Sequence, residues 1–296
     1  MCEFVSCNFN ALYLQNVSHI STIQTLISSI RNDRPGTVVG FVPTMGALHE
    51  GHMRLIREAK ENSNFVVCSI FVNPTQFNDP KDLEKYPRTI ERDLKQLELA
   101  GCDLVFTPEV KEIYPDAAIH YDINLGMLDN IMEGKYRKDH FKGVAMIVER
   151  LFDIIKPDKA FFGLKDFQQL AVIKKLVSVR NIQTEIIPVE IVRNKEGLAL
   201  SSRNQLLSDS QQKDALIIYK TLVFGKELLQ KTPSLSVEEL RQAMINHFSK
   251  GNLRLEYLEI VDNHNLLAAQ DLSSNVSCCI AAICGEIRLI DNIQLA

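Results

Sequence analysis

The fold of this chain is decided by the stretch Phe41-Val42-Pro43-Thr44-Met45-Gly46-Ala47-Leu48-His49-Glu50-Gly51-His52-Met53. It follows a β-rich apolar run at residues 37–42, and apolar residues at helical spacing come after it, namely Met53, Leu55, Ile56 and Ala59. The stretch is therefore predicted to join a strand to a helix. Pro43 lacks a backbone N–H and is expected to end the strand, whereas Gly46 permits a tight turn.

Two histidines, His49 and His52, lie three residues apart at the start of the predicted helix. Residues at that spacing project from about one face of a helix. A helix N-terminus carries unpaired N–H groups and roughly half a positive charge, so imidazoles placed there build a pocket for phosphate. Gly51 is expected to let the first helical turn approach a ligand closely. The expected ligand is a nucleotide.

A pair of histidines could also be half of a metal site. The helical zinc motif of hydrolases needs two residues between its glutamate and its second histidine, whereas only Gly51 separates Glu50 from His52. A metal site is therefore not favoured. A purely structural role fits poorly as well, because two of the seven histidines flank a glycine at a strand-to-helix joint.

The 296-residue length, the 46% hydrophobic content and the 24% of charged residues are typical of a globular protein with two domains or one large one. No apolar run approaches the roughly 20 residues that span a bilayer, and the N-terminus has no basic region followed by an apolar core. We therefore expect no membrane segment and a cytoplasmic location. The net charge of −4 gives no basic footprint for nucleic acid, which favours a small-molecule substrate.

The seven cysteines are odd in number and contain no Cys-x-x-Cys pair. Because most lie in apolar runs, they are interpreted as buried thiols, with a catalytic cysteine as the alternative. They are Cys2, Cys7, Cys68, Cys102, Cys278, Cys279 and Cys284.

Continuous apolar strands alternate with amphipathic helices over the first part of the chain. The predicted strands lie at residues 37–42, 65–72, 103–106, 159–162 and 184–187. This pattern predicts a doubly wound, Rossmann-like parallel sheet of the α/β class. Beyond about residue 190, two helices and then three strands predict a smaller α+β domain. The predicted domains are residues 1–188 and 189–296.

Ligands of an open parallel sheet bind beyond the carboxyl ends of its strands. Three polar loops follow predicted strands, at residues 45–52, 73–77 and 163–169. Lys165 in the third loop is a natural phosphate partner, and a solvated lysine in a turn is the alternative. The segment Ser201-Ser202-Arg203 offers hydroxyl and guanidinium donors together, which suits phosphate binding when one domain closes over another. A solvated surface hairpin is the alternative there.

Taken together, five motifs resemble those of the pantothenate synthetases, or pantoate–β-alanine ligases, within the HxGH nucleotidyltransferase superfamily. The first is Pro43 to His52, quoted above, and the others are Phe71-Val72-Asn73-Pro74-Thr75-Gln76-Phe77, Tyr86-Pro87-Arg88-Thr89, Phe162-Gly163-Leu164-Lys165-Asp166-Phe167-Gln168-Gln169 and Gly197-Leu198-Ala199-Leu200-Ser201-Ser202-Arg203-Asn204. Many nucleotidyltransferases share the HxGH element, but the five motifs in this order are specific. Weaker similarity runs to residues 288–292.

The resemblance implies an ATP-dependent ligase with two steps, in the first of which pantoate and ATP give pantoyl adenylate and pyrophosphate. β-Alanine then attacks the adenylate, which releases pantothenate and AMP. The resemblance further implies Mg²⁺ on the phosphates of ATP and a homodimer. It does not identify a carboxylate for the metal; Asp93 is a candidate, with a solvated helix face as the alternative.

Site residues are also implied by the resemblance, motif by motif. The catalytic set is His52, as the proton donor, with His49, Lys165 and Arg203. Gln76 and Gln169 hold pantoate, and Gln76 also lies near β-alanine. The ATP site comprises Met45, Gly46, Ala47, Leu48, His49, Glu50, Gly51, His52, Gly163, Leu164, Lys165, Asp166, Val192, Leu200, Ser201, Ser202 and Arg203.

Two other functions remain open from the sequence. A cytidylyl- or adenylyltransferase would use the same HxGH joint to transfer a nucleotide to a phosphorylated acceptor. A non-catalytic nucleotide-sensing module would bind ATP without turnover. His49 and His52 together with Lys165 and Arg203 favour an enzyme over a sensor.

Overall fold

The computed structural model describes residues 14–115, 121–273 and 275–296. Its elements in chain order are β1 Gln15–Val17, α1 Ile20–Asp33, β2 Val39–Thr44, α2 Glu50–Asn62, β3 Phe65–Ile70, α3 Pro80–Lys85, α4 Ile90–Leu99, β4 Leu104–Phe106, α5 Val110–Ile113, α6 Met132–Tyr136, α7 His140–Ile155, β5 Lys159–Gly163, α8 Phe167–Arg180, β6 Glu185–Val189, α9 Asp209–Lys231, α10 Val237–Phe248, β7 Arg254–Asp262, β8 Val276–Cys284 and β9 Ile287–Gln294. Short 3₁₀ turns lie at Pro74–Gln76, Gly126–Asp129, Leu164–Asp166 and Ser202–Leu206.

The large sheet has the strand order β1-β4-β3-β2-β5-β6, and all of its pairings are parallel. Alternate residues of a strand point to opposite faces, so Phe41 packs with α1, α7 and α8 while Val42 packs with α2 and α4. Both faces of the sheet are therefore covered by helices. The predicted doubly wound, Rossmann-like α/β fold is confirmed.

Strand order reverses between β2 and β5, because β3 and β4 lie on one side of β2 while β5 and β6 lie on the other. Ligands of such sheets bind at this reversal, beyond the carboxyl ends of the strands. The loop after β2 carries His49, and the loop after β5 carries Lys165. The loop with Gln76 follows the neighbouring strand β3. The topology thus brings the three predicted loops to one crevice.

The expectation that Pro43 ends the first core strand is wrong, since β2 continues to Thr44. The N–H of Phe71 donates to the carbonyl of Thr44 at 3.0 Å, so Thr44 faces β3 and Pro43 faces the other side. On that side β2 pairs with β5 only at Gly40 and Phe41. The missing N–H of Pro43 therefore leaves no ladder hydrogen bond unmade.

The smaller sheet is antiparallel, with the order β7-β8-β9, and it packs with α9 and α10 around its own core. The two helices begin at the predicted capping boxes of Ser208 with Gln211 and Ser236 with Glu239. This part of the chain is α+β, as predicted. The division into two domains at residues 188 and 189 stays a prediction.

The five cysteines within the described ranges are buried and free, as predicted for buried thiols. Burial raises the pKa of Cys68 well above its ordinary value and that of Cys102 to about 12. Cys2 and Cys7 lie outside the described residues. Within the described part of the chain, no helix combines the length and the apolar character that crossing a membrane requires.

Candidate active site

A cavity of about 250 Å³ opens at the carboxyl ends of β2, β3 and β5. Most of the predicted site residues line it, drawn from all three loops and from the segment after β6. These residues are Met45, His49, Gly51, His52, Gln76, Gly163, Lys165, Asp166, Gln169, Val192, Leu200, Ser201, Ser202 and Arg203. The cavity thus brings together side chains that are separated by up to about half the length of the chain.

The other predicted ATP-site residues do not line this cavity, namely Gly46, Ala47, Leu48, Glu50 and Leu164. Ala47 and Leu48 are buried, and their N–H groups donate to the carboxylate of Asp93 at 2.8 and 2.9 Å. Glu50 is engaged with Arg57 on the outer face of α2. The backbone N–H groups of Ala47 and Leu48 thus have a protein acceptor.

His49 and His52 together cap the N-terminus of α2, since each side chain accepts a backbone N–H there. The Nδ1 of His49 accepts from the N–H of Gly51 at 3.1 Å, and the Nδ1 of His52 accepts from the N–H of His49 at 3.3 Å. The two rings lie 4.1 Å apart between centroids. This reciprocal cap satisfies two of the N–H groups that a helix leaves unpaired.

These contacts fix the tautomer of both imidazoles. A ring nitrogen that accepts a hydrogen bond carries no proton, so a neutral ring must carry its proton on Nε2. Burial, followed by the charge of Lys165, lowers the pKa of His49 to about 4. Burial also holds the pKa of His52 well below its ordinary value. Both rings are therefore neutral hydrogen-bond donors at pH 7.

Gly51 is needed for a steric reason within the protein itself, while the expected close approach of a ligand stays a prediction. A Cβ at this position would lie 2.8 Å from Cε1 and 2.9 Å from Nδ1 of His49. The absent side chain leaves room for the imidazole to fold back over the first helical turn. Gly46 takes a φ of +80°, which confirms the predicted tight turn.

The alternative reading of Asp93 as part of a solvated helix face is wrong, because the side chain is buried, whereas its role as a metal ligand stays a prediction. Its side chain is buried on α4 and accepts from the N–H groups of Ala47 and Leu48 and from the Thr89 hydroxyl at 3.0 Å. A buried carboxylate needs such donors to offset its desolvation. Asp93 therefore holds the loop between β2 and α2 in place.

The loop that carries Lys165 is held by the smaller sheet. The side-chain amide of Asn292 on β9 donates to the carbonyls of Leu164 and Lys165 at 2.9 and 3.0 Å. Next to it, Asp291 is buried and forms a bidentate ion pair with Arg193 at 2.5 and 2.9 Å. Lys165 itself lies 3.5 Å from Asp166.

Arg203 and Ser202 bring the segment after β6 onto the same cavity. Ser202 donates from its hydroxyl to the carbonyl of Ala47 at 3.1 Å, which ties this segment to the loop after β2. The guanidinium of Arg203 donates to Asp82 of α3 at 2.9 Å. Ser201 caps the turn that follows, by accepting from the N–H of Arg203.

The two predicted pantoate residues differ in their surroundings. Gln76 is buried, and its amide oxygen accepts from Asn73 at 3.2 Å. Gln169 is half-buried, and within the described residues its side chain makes no hydrogen bond. Its amide is thus available to a ligand. The side-chain amide of the neighbouring Gln168, in contrast, is fully hydrogen-bonded to the backbone of Glu133, Leu128 and Ile131.

Sequence reasoning assigned no role to three charged or polar cavity residues near α6, which are Glu133, Arg137 and His140. Glu133 pairs with Arg288 of β9 at 2.6 and 2.7 Å and accepts from the Tyr257 hydroxyl at 2.7 Å. The only hint in the sequence was that the three polar residues are spaced three or four positions apart around one short helix, a spacing typical of one side of a helix. It does not reveal partners that lie more than 120 residues later in the chain.

No cluster of three or more His, Cys, Asp or Glu side chains that could hold a metal ion occurs among the described residues. The donor set of the cavity is instead rich in N–H groups, from two imidazoles, Lys165 and Arg203. Such donors suit the oxygens of a polyphosphate.

Known proteins that are similar in sequence and in fold agree with each other. A pantothenate synthetase from Acetivibrio thermocellus is 44% identical over 93% of this chain and 98% of its own length. A structure of pantothenate synthetase from Thermus thermophilus matches with a TM-score of 0.89 and 38% identity, over 95% of this chain and 99% of that one. The pantoate-beta-alanine ligase from Francisella tularensis, complexed with beta-gamma ATP and beta-alanine, matches with a TM-score of 0.78 and 34% identity, over 95% and 98%.

The sequence model of one family covers almost all of the described chain. It is the model of pantoate-beta-alanine ligase, and it matches residues 15–294. The match therefore takes in both sheets and every loop of the cavity. With its cavity of paired imidazoles, lysine and arginine at the reversal of a parallel sheet, this chain belongs to the pantoate-beta-alanine ligase family.

Proposed function

We propose that this chain is an ATP-dependent ligase that condenses pantoate with β-alanine through a pantoyl-adenylate intermediate. The observation that carries the proposal is the tautomer of its two histidines. Each Nδ1 accepts a backbone N–H, which leaves each Nε2–H as a donor at the cavity that both rings line. Family membership and the relative solved with beta-gamma ATP and beta-alanine support the choice of substrates.

In the first step, a carboxylate oxygen of pantoate attacks the α-phosphorus of ATP. The new O–P bond forms as the bond to the bridging oxygen breaks, and pyrophosphate leaves with the electron pair. A carboxylate has a pKa near 4 and is ionised at pH 7, so this step needs no general base. The Nε2–H groups of His49 and His52, with Lys165 and Arg203, stabilise the charge that develops on the phosphates.

In the second step, the amine of β-alanine attacks the carbonyl carbon of the adenylate. The C–N bond forms, the C–O bond to the phosphate breaks, and AMP leaves with the electron pair. The ammonium of β-alanine loses two protons overall. Gln76 and Gln169 bind pantoate, and Gln76 also lies near the amine. Because water hydrolyses an acyl adenylate, the segment around Ser202 serves to enclose it.

Three further properties belong to this proposal. ATP arrives as its Mg²⁺ complex, with the cation held by the phosphates. The chain forms a homodimer, as the family resemblance implies, and light scattering after size exclusion measures this. It works in the cytoplasm, where the five free cysteines of the described ranges stay reduced.

The decisive experiment measures AMP release by the purified protein in the presence of ATP. Pantoate and β-alanine are added to it one at a time and then together. We expect AMP only when pantoate and β-alanine are both present. A nucleotidyltransferase would instead keep the nucleotide in its product. A nucleotide sensor would bind ATP in a titration and release no AMP. Either result would reject the ligase assignment.

A further inference from the structure

Arg137 follows α6 and lies where the active-site cavity meets a second cavity of about 420 Å³. It lines both of them, and its side chain is 20% exposed. Arg203 also lines both cavities. A mostly buried guanidinium thus stands at the junction of two spaces, beside a second cation.

One edge of the Arg137 guanidinium is held by the protein. Its NH1 group lies 3.0 Å from Nε2 of His140, whose Nδ1 lies 2.8 Å from the carbonyl oxygen of Gln76. A carbonyl oxygen only accepts, so Nδ1 of His140 carries the proton and Nε2 accepts from Arg137. The arginine is therefore oriented against the same loop that carries Gln76.

No residue of the described ranges holds the rest of the guanidinium in this way. The nearest carboxylate, Glu133, lies 4.0 Å from NH1, and its oxygens are already bonded to Arg288 and Tyr257. Within the described residues, Nε and NH2 of Arg137 make no hydrogen bond. A fork of N–H donors is therefore left for a ligand at the junction of the cavities.

The surroundings of Arg137 favour an anionic ligand. Burial and the nearby charge of Arg203 lower the pKa of Arg137 to about 10, so it is a desolvated cation that stays charged at pH 7. An anion that reaches the free edge would offset this desolvation, and a carboxylate matches the planar fork with two parallel hydrogen bonds. The site is thus built for a carboxylate.

The reaction offers one carboxylate that must stay unreacted throughout. The pantoate carboxylate is consumed when it attacks the phosphorus, and the phosphates already have His49, His52 and Lys165. We propose that Arg137 binds the carboxylate of β-alanine and directs its amine toward the adenylate, which rests on the proposed function. The second cavity is the space through which β-alanine reaches this position.

Arg137→Gln tests this, with Arg137→Lys as the variant that keeps the charge and loses the fork. The control is Lys95→Gln, which removes a charge from an exposed residue of α4 that lines neither cavity. Three rates are measured: pantoate-dependent exchange between ATP and pyrophosphate, pantothenate formation against β-alanine concentration, and amide formation with 3-aminopropan-1-ol. The last amine matches the chain length of β-alanine without its carboxylate.

We expect Arg137→Gln to raise the KM for β-alanine roughly 30-fold or more, as loss of a buried charged partner does. Exchange and the rate with 3-aminopropan-1-ol should stay within about twofold of the parent, because neither reaction contains this carboxylate contact. Arg137→Lys should give a smaller rise, since a point charge replaces the fork. Lys95→Gln should match the parent in all three rates.

An unchanged KM for β-alanine in folded Arg137→Gln overturns the inference. The inference is also overturned if pyrophosphate exchange falls as much as pantothenate formation does, because Arg137 would then bind the phosphates. If Arg137→Gln does not fold, the same comparisons on Arg137→Lys decide. A parent protein that shows neither exchange nor AMP release rejects the proposed function and this inference together, whereas defects confined to the variants bear on Arg137 alone.

Discussion

The imidazole of His49 lies over the Cα of Gly51, so close that a Cβ on residue 51 would stand 2.8 Å from Cε1. This contact orients the ring whose Nδ1 caps α2 and whose Nε2–H we propose as a donor to phosphate. The glycine and the histidine of the motif are therefore one steric unit. A side chain cannot be added at residue 51 without moving the His49 ring.

Gly51→Ala should therefore lower activity without unfolding the protein. The methyl group displaces the His49 ring, and losing one preorganised donor costs about two to three orders of magnitude in rate. Alanine inside a helix is favoured over glycine by about 1 kcal/mol, which offsets the similar cost of the displaced His49 cap, so the melting temperature should change little. Pyrophosphate exchange and thermal unfolding are the two measurements. A variant that melts like the parent and exchanges at full rate would contradict the steric argument.

His52→Asn should separate the capping role of His52 from its role as a donor. The asparagine oxygen can still accept from the N–H of His49, but no N–H remains where Nε2–H stood. We expect a folded protein with adenylate formation reduced roughly 100- to 1,000-fold. His52→Gln, whose longer amide can reach the lost donor position, is the matched control and should lose less. Equal rates for the two variants would argue against the donor role.

Acid should destabilise the protein through its neutral histidines. The pKa of His49 is about 4 in the folded chain and 6.5 ordinarily, so the unfolded chain binds the extra proton in this window. The stability that the neutral ring contributes is complete above pH 6.5 and is lost as the pH falls toward 4, by roughly 3 kcal/mol at the acid end. Urea unfolding at several pH values should show a shallower loss for His49→Gln than for the parent. Parallel pH profiles for the two proteins would remove His49 from the explanation.

Replacing Gln76 or Gln169 with alanine should weaken pantoate binding and leave ATP binding nearly unchanged. A neutral amide pairs with substrate hydroxyls without drawing the reactive carboxylate into an ion pair. The loss should be roughly 1–3 kcal/mol, or about five- to a hundredfold. Two titrations on each variant measure it, one with ATP and one with pantoate beside a non-hydrolysable nucleotide. If ATP binding collapses while pantoate binding survives, the glutamines belong to the nucleotide.

Asp93→Asn should destabilise the fold and leave the Mg²⁺ requirement as it is. An amide cannot accept from Ala47, Leu48 and Thr89 at once, so buried N–H groups lose their acceptor at a cost of about 1–3 kcal/mol. Glu91→Gln, on the exposed side of the same helix, should stay within about 0.5 kcal/mol of the parent. Urea unfolding and activity against Mg²⁺ concentration are the tests. A raised Mg²⁺ requirement with unchanged stability would return Asp93 to the metal.

Much of the site could be predicted, because the strands of a parallel sheet end at one edge and the strands themselves are recognisable from local sequence patterns. His52 and Lys165, which are 113 positions apart in the sequence, therefore line the same cavity. Asp93 could not be predicted, since its spacing on α4 resembles a solvated face and its burial depends on N–H groups from another loop. Arg137 was missed for a similar reason. Its free edge exists only because Arg288, far along the chain, satisfies Glu133.

The contacts of Asn292 with Leu164 and Lys165, and of Ser202 with Ala47, tie the segment of residues 189–296 to the loops after β5 and β2. Occupancy of the cavity and docking of that segment therefore share one coupling free energy, which acts equally in both directions. A change that breaks this coupling lowers the affinity for nucleotide by a certain factor. Bound nucleotide strengthens the docking by the same factor. Variation at Asn292 can thus tune substrate affinity through this docking, without replacing Lys165 itself.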